Sequence, residues 1–268
     1  MGLKVAISNI AWKEDDDEVV YEYLKKNNIS AIEIAPTRLF GSEPYKDLER
    51  ARQYRNSIKN KFNLDICSLQ SIWYGRTEKM FGTFEERQRL LDYTKNAIIF
   101  AEAVGANNLV FGCPRNRNID SNYDKDVELS FFRSLGSYAF QHSTVIAMEA
   151  NPEIYGTNYI NTTNDAIELV HKVNSPGFKL NLDFGTIVEN KEDICFLLKN
   201  TEIINHVHIS EPNLNKIISR YEHEKLISIL VENNYNGYIS IEMSKQDDLK
   251  DVFDTIQYLK KLREMYYE

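Results

Sequence analysis

EERQRLLDYTKNAIIFAEAVGANNLVFG, residues 85–112, runs from one helix into one strand. Leu90, Leu91, Ala97, Ile98 and Ala101 recur at the spacing that lines one face of an amphipathic helix. Gly105 follows where a helix-ending glycine belongs, because a residue without Cβ takes the left-handed backbone at little cost. After the short connection GANN the chain enters the β-rich run NLVFG (108–112). Working outward, similar runs occur at KVAISNI (4–10), AIEIA (31–35), LDICSLQ (64–70), VIAMEA (145–150), KLNLDF (179–184), HVHIS (206–210) and YISIEM (238–243). Amphipathic stretches separate them, and DDLKDVFDTIQYLKKLREMYY (247–267) closes the chain as a helix. Eight strand–helix units are the count of a (β/α)8 TIM barrel, although a doubly wound open sheet could alternate in the same way. Loop lengths favour the barrel. Connections into strands are short (NNIS, GANN, NNYNG), whereas those leaving strands are long, at 36–46, 71–84, 113–126 and 210–221. Barrels elaborate the carboxyl-end loops because the site is built there.

No linker or composition shift divides the 268 residues, so a single barrel domain over 1–268 is expected. A net charge of -8 argues against a nucleic-acid surface, which needs a basic stripe. The start MGLKVAISNIAW is too short an apolar run for a signal peptide, and no stretch approaches a membrane span. Cys67, Cys113 and Cys195 are scattered, with neither disulfide nor zinc spacing, and are expected as small buried apolar residues in a cytoplasmic protein. KEDDDEVV (13–20) reads as the acidic first turn of a helix, favourable with its dipole.

Strands covered by helices on the outside of a barrel normally read as near-continuous apolar runs. These do not. Successive side chains point to opposite faces, so Ile146 and Met148 oppose Glu149, and Leu180 and Leu182 oppose Asn181 and Asp183. Likewise Val207 and Ile209 oppose His206, His208 and Ser210; Ile239, Ile241 and Met243 oppose Ser240 and Glu242; and Ile32 and Ile34 oppose Glu33. The apolar set faces the helices, so the polar set points into the barrel. There an isolated carboxylate costs several kcal/mol unless it is paired or metal-bound. Glu149, Asp183, His208 and Glu242 stand at or near the carboxyl ends of strands five to eight. Three carboxylates and an imidazole suit one divalent ion of the Mn, Mg or Co type, with Zn a further candidate. A structural zinc more often takes cysteines and histidines only.

In chain order SNIAW, IEIAPT, SLQSIWYG, FGCPRNR, MEANP, LDFGT, HVHISEPN and SIEM resemble the xylose isomerase-like TIM barrel superfamily, specifically its sugar phosphate isomerase/epimerase family. The resemblance covers nearly the whole chain. It implies that Glu149, Asp183, His208 and Glu242 bind one divalent metal, and that Glu149 and Glu242 are catalytic, moving protons on either side of a small-molecule carbohydrate. One glutamate would remove the proton alpha to a carbonyl, the metal would stabilise the enediolate oxygens, and the other would return a proton. The implied enzyme is an isomerase or epimerase; a metal-dependent dehydratase of the inosose dehydratase type is the alternative. Two positions depart from ketose 3-epimerases of the family: Thr186 stands where they carry a substrate-binding His, and Leu214 where they carry an Arg. A different polyol is therefore expected, phosphorylated or otherwise substituted. A homo-oligomer is usual in the family. An endonuclease-IV-like role would need about three zinc ions and a basic DNA face. A non-catalytic binding barrel would have no use for an acid on each side of its ligand.

At the mouth, Arg115 and then Arg117 in CPRNR are candidates to hold an anion bidentately. Trp73 and Tyr74 could form a wall or lid for a sugar, and Trp12 and Glu33 are further candidates for substrate contact. Glu211 could orient His208 or a substrate hydroxyl, while His206, one layer deeper, would act as a buried partner beneath the substrate. His142, His171 and His223 fall in or beside helices and read as surface or core histidines.

Overall fold

The computed structural model describes residues 2–120 and 123–266. All eight β-rich runs form strands: β1 (Lys4–Ile7), β2 (Ala31–Ile34), β3 (Asp65–Leu69), β4 (Leu109–Phe111), β5 (Ile146–Glu149), β6 (Phe178–Asp183), β7 (Ile204–Ser210) and β8 (Tyr238–Glu242). They pair in parallel in the order β1-β8-β7-β6-β5-β4-β3-β2. A parallel bridge between Ser8 and Glu33 holds the remaining seam between β1 and β2. The sheet therefore curls into a TIM barrel rather than an open doubly wound sheet.

The helices are α1 (Asp17–Lys26), α2 (Pro36–Phe40), α3 (Leu48–Phe62), α4 (Phe84–Val104), α5 (Lys125–Gln141), α6 (Thr163–Val173), α7 (Phe184–Asn190), α8 (Tyr221–Glu232) and α9 (Leu249–Glu264). Helix α4 forms as its sequence dictates. The Thr83 hydroxyl accepts from the Glu86 N–H at 3.2 Å and the Glu86 carboxylate accepts from the Thr83 N–H at 2.9 Å, a reciprocal capping box. Gly105 ends the helix at φ +79°. Leu90, Ala97, Ile98 and Ala101 are fully buried, whereas Leu91 is only half-buried. Each buried Leu or Ile on that face contributes about 1.5–3 kcal/mol.

The long carboxyl-end connections appear as expected, between β2 and α3, β3 and α4, β4 and α5, and β7 and α8. Residues 121 and 122 of the 113–126 connection, and residue 267 of the closing helical stretch, lie outside the described residues. Helix α7 is short, and 3-10 turns at Ile194–Lys199 and Thr201–Ile203 complete the passage to β7. Of the cysteines, Cys67 is buried and Cys113 half-buried, but Cys195 is exposed on the first of those turns, contrary to the expectation of three buried thiols. No helix among the described residues is long and apolar enough to cross a membrane.

Ile146, Met148, Leu180, Leu182, Val207, Ile209, Ile239, Ile241 and Met243 are buried under the helices. The polar faces meet inside the barrel: His208 of β7 reaches Glu33 of β2. Neighbouring registers set Glu149 beside Asn181, Asp183 beside His208, and Ser210 beside Glu242. The stagger of a barrel's strands thus gathers residues from four strands around one point.

Candidate metal centre

Glu149, Asp183 and Glu242 are the last residues of β5, β6 and β8, and His208 stands two residues before the end of β7. One potential ligand atom from each lies within 4.8 Å of all the others. His208 Nδ1 is 3.0 Å from Glu149 Oε1 and 3.2 Å from Glu242 Oε2. All four residues are buried.

Glu149, Asp183 and His208 are each aimed by a second set of groups. Asn181 Nδ2 donates to Glu149 Oε1 at 2.8 Å and Asn151 Nδ2 donates to Oε2 at 3.0 Å. Asp183 caps α7: the Thr186 N–H donates to its Oδ2 at 2.8 Å, and the Ser210 hydroxyl donates to Oδ1. Ser210 is itself fixed, accepting from the Gly185 N–H at 2.7 Å. Glu33 Oε2 lies 3.0 Å from His208 Nε2 and 3.3 Å from His206 Nε2. The Glu33 carboxylate accepts from the His208 Nε2–H and so fixes the ring with Nδ1 turned toward Glu149 and Glu242, where an ion would take the place of the Nδ1 proton.

Burial and the charge of Glu149 push Asp183 above its ordinary range. Burial pushes Glu242 up to about 7 against the opposing pull of His208, with Glu149 and Asp183 adding to the rise. Burial would depress His208, but the charges of Glu33 and Glu242 outweigh it and hold the imidazole well above its usual value. Glu33 runs the other way. Burial would raise it, yet His208 and His206 hold it below the usual carboxylate range.

One imidazolium cannot neutralise three buried carboxylates on its near side and a fourth behind it. Oxygen donors converging with one nitrogen fit a hard or borderline divalent cation, which would relieve that repulsion. The residues therefore suit a single ion held by Glu149, Asp183, His208 and Glu242. Gly112 makes room for the arrangement, since a Cβ there would stand 2.6 Å from Glu149 Oε2. Gly112→Ala is expected to displace that carboxylate and weaken divalent-cation binding by about 10- to 100-fold, measured by calorimetric titration on protein whose circular dichroism is unchanged.

A family model, xylose isomerase-like TIM barrel, matches residues 21–262. The chain belongs to that family. No curated protein sequence matches it. Among solved structures, a D-psicose 3-epimerase with D-tagatose from Clostridium cellulolyticum H10 superposes with a TM-score of 0.81 at 14% identity, over 99% of this chain and 100% of that one. The 3-keto-D-glucoside 4-epimerase of E. coli gives 0.74 at 19% identity, over 97% and 99%. An AP endonuclease, family 2, from Brucella melitensis gives 0.76 at 15% identity, over 97% and 99%.

Within this xylose isomerase-like barrel the other expected contacts are redistributed. Glu33 and His206 are fully buried beneath His208, so they support the imidazole rather than touch a substrate. Trp12 is buried, its indole N–H donating to Asp17 Oδ1 at 2.7 Å. Trp73 is buried on Phe111 and donates to Thr94 Oγ1 at 2.8 Å, whereas Tyr74 beside it is 70% exposed. Neither tryptophan lines the cavity above the cluster. Glu211 does not reach His208; it forms a bidentate pair with Arg220, at 2.7 Å to Nε and 2.5 Å to Nη2. Arg115 is exposed, and it is its backbone carbonyl that is engaged, by Lys79 Nζ at 2.5 Å. His142 pairs with Glu102, His171 with Asn200, and buried His223 with Tyr258, as structural histidines do.

Arg117 is no anion trap. Fully buried, its guanidinium donates to the carbonyl oxygens of Phe111 (3.3 Å) and Glu149 (2.8 Å) and to Asn151 Oδ1 (3.0 Å). It ties the end of β4 to the end of β5 and fixes the amide that orients Glu149. Arg117→Ala would leave those acceptors without a donor and open a cavity, so a loss of about 3–5 kcal/mol in unfolding free energy is expected from urea titration.

Alternation places Asn181 and Ser210 on inward faces but gives them no role in the site, and it does not single out Asn151. The same alternation that found the acids sets Asn181 and Ser210 beside Glu149 and Asp183, where an amide and a hydroxyl are the groups that would hold a carboxylate. Tyr155 and Gln70, which line the cavity from loops, carry no such signal.

Proposed function

We propose that this protein is a divalent-metal-dependent isomerase or epimerase acting on a sugar or sugar derivative. The observation that carries the reading is the pair Glu149 and Glu242. The two come from β5 and β8, with two strands between them, and line one cavity together with Asp183. Both carboxylates border the open cavity as well as the point where a cation would sit, so each can meet a substrate bound over the ion. One glutamate removes a proton from the carbon next to a carbonyl, and the other delivers a proton to the same or the neighbouring carbon. The stereochemistry of the substrate sets which acts first. Asn151 and Asn181 hold both oxygens of Glu149, so its basic lone pairs stay directed as the proton moves. Thr186 and Ser210 fix Asp183 in the same way. A bound Mn, Mg or Co ion would supply positive charge beside the substrate oxygens on which negative charge develops. The likeness in fold to a D-psicose 3-epimerase and to a 3-keto-D-glucoside 4-epimerase supports a carbohydrate substrate.

The test is incubation in deuterated water with a panel of ketoses, inososes and their phosphates. A converted substrate should carry deuterium on the carbon alpha to the carbonyl. Conversion without exchange would remove the proton-transfer mechanism. Product mass from a parallel reaction in ordinary water separates the dehydratase alternative, because isomerisation conserves it and dehydration loses one water.

A further inference from the structure

The cavity over the four-residue cluster is small, about 160 Å³. Beside it, over the carboxyl ends of β1 to β3, lies a larger cavity of about 620 Å³. Ser71 lines both, so the two meet at one wall. That wall is held, since the Ser71 hydroxyl donates to Gln70 Oε1 at 2.8 Å and Gln70 Nε2 donates to Ser8 Oγ at 2.7 Å. Pockets for whole small molecules run about 300–1,000 Å³. The cluster cavity falls below that range and its neighbour sits within it.

We infer that the substrate is a sugar bearing a second neutral ring, a glycoside or disaccharide, whose remote ring occupies the cavity between Tyr74, Thr37 and Ser71. This rests on the sugar chemistry proposed above. Two guanidinium groups line the cavity, and both are already committed. Arg38 makes a bidentate pair with Asp17 at 2.7 and 3.2 Å, and Arg76 pairs with Glu78, its Nε 3.1 Å from Oε2. Glu14 and Glu43 add two exposed carboxylates to the lining. A phosphate would meet spent cations and facing acids. A polyhydroxyl ring would instead meet hydroxyls, carboxylate acceptors and an exposed tyrosine ring for its C–H face. Binding energy gained so far from the reacting carbon is available to orient that carbon between Glu149 and Glu242.

The test compares deuterium exchange on a free ketohexose, its phosphate, and the same ketohexose carrying one glucosyl group. The expected result is a kcat/KM at least about tenfold higher for the glucosylated sugar, with Tyr74→Ala cutting that advantage by about tenfold. Tyr74 is exposed, so its replacement does not threaten the fold. Equal rates on free and glucosylated sugar, a preference for the phosphate, or an advantage that survives Tyr74→Ala would overturn the inference while leaving the proton-transfer reading intact. Absence of exchange with every member would remove that reading and the inference with it.

Discussion

Glu149→Gln and Glu242→Gln are each expected to lower the rate of proton exchange by at least about a thousandfold, on protein that still folds. Glutamine keeps the volume and one oxygen donor of the glutamate but has no basic site to take up a proton. The two replacements should differ in their second effects. Asn181 and Asn151 both donate to Glu149, so a glutamine there turns an N–H toward one of two amide donors, and its side chain must rotate or lose a bond. Glu242 faces His208 at 3.2 Å, and a glutamine can present its oxygen there unchanged. Glu242→Gln also removes one of three crowded negative charges, so the metal-free variant should be no less stable than the parent. Exchange measured by NMR, metal content by elemental analysis and thermal melting together separate these effects. If both variants retain exchange within tenfold of the parent, the pair does not move the protons.

Much of the barrel was legible because two periodicities coincided in the sequence. Helix α4 carries its spacing, its capping box and its terminal glycine in one continuous stretch. The inward acids were legible because a two-residue alternation sorts Asp183 from Leu182, and Glu242 from Ile241, without any tertiary information. The loops have no such rule. Trp73 and Tyr74 are adjacent, yet one is packed on Phe111 and the other is 70% exposed, and only the path of the β3–α4 connection decides between them. Arg115 lies within the 3-10 turn Pro114–Asn116 and Arg117 just after it, and that two-residue step sends one guanidinium outward and buries the other. Glu211 read as a partner for His208 because the two are close in sequence. Arg220, nine residues along on the same connection, competes for it with a geometry that a carboxylate cannot better. Thr186, which departs from the ketose 3-epimerase pattern, serves Asp183 through its N–H, and Leu214 lines the cluster cavity as an apolar surface.

The metal-free protein should lose stability as pH rises from about 5 to 8, and added divalent cation should reverse the trend. Glu242 in the folded chain titrates near 7, above its ordinary 4.5, and Asp183 is also raised. An acid raised by folding keeps its proton where the unfolded chain has already released it. Its contribution is therefore complete below the unfolded value and lost as pH climbs through the folded one. His208, raised by Glu33 and Glu242 against the effect of burial, acts in the same direction, since its contribution is present below about 6.5 and lost as its own elevated titration is passed. His206, lowered by burial, opposes them, though only up to the ordinary histidine range. Glu33 is lowered, so its contribution is already complete above the ordinary carboxylate range and does not change within this window. Each proton lost in this way costs about 1.4 kcal/mol per pH unit. A cation binds the deprotonated groups, so its affinity grows over the same interval, and at a hundredfold excess over Kd it adds about 2.7 kcal/mol. In a barrel of this size that is roughly 5–10 °C in Tm. The gap in Tm between protein with Mn and protein with a chelator should therefore widen from pH 5 to pH 8. Asp183→Asn, which removes one of the titrating ligands, should shrink the gap at every pH. A gap that is constant or narrows with pH would mean that the buried carboxylates are not where the cation binds.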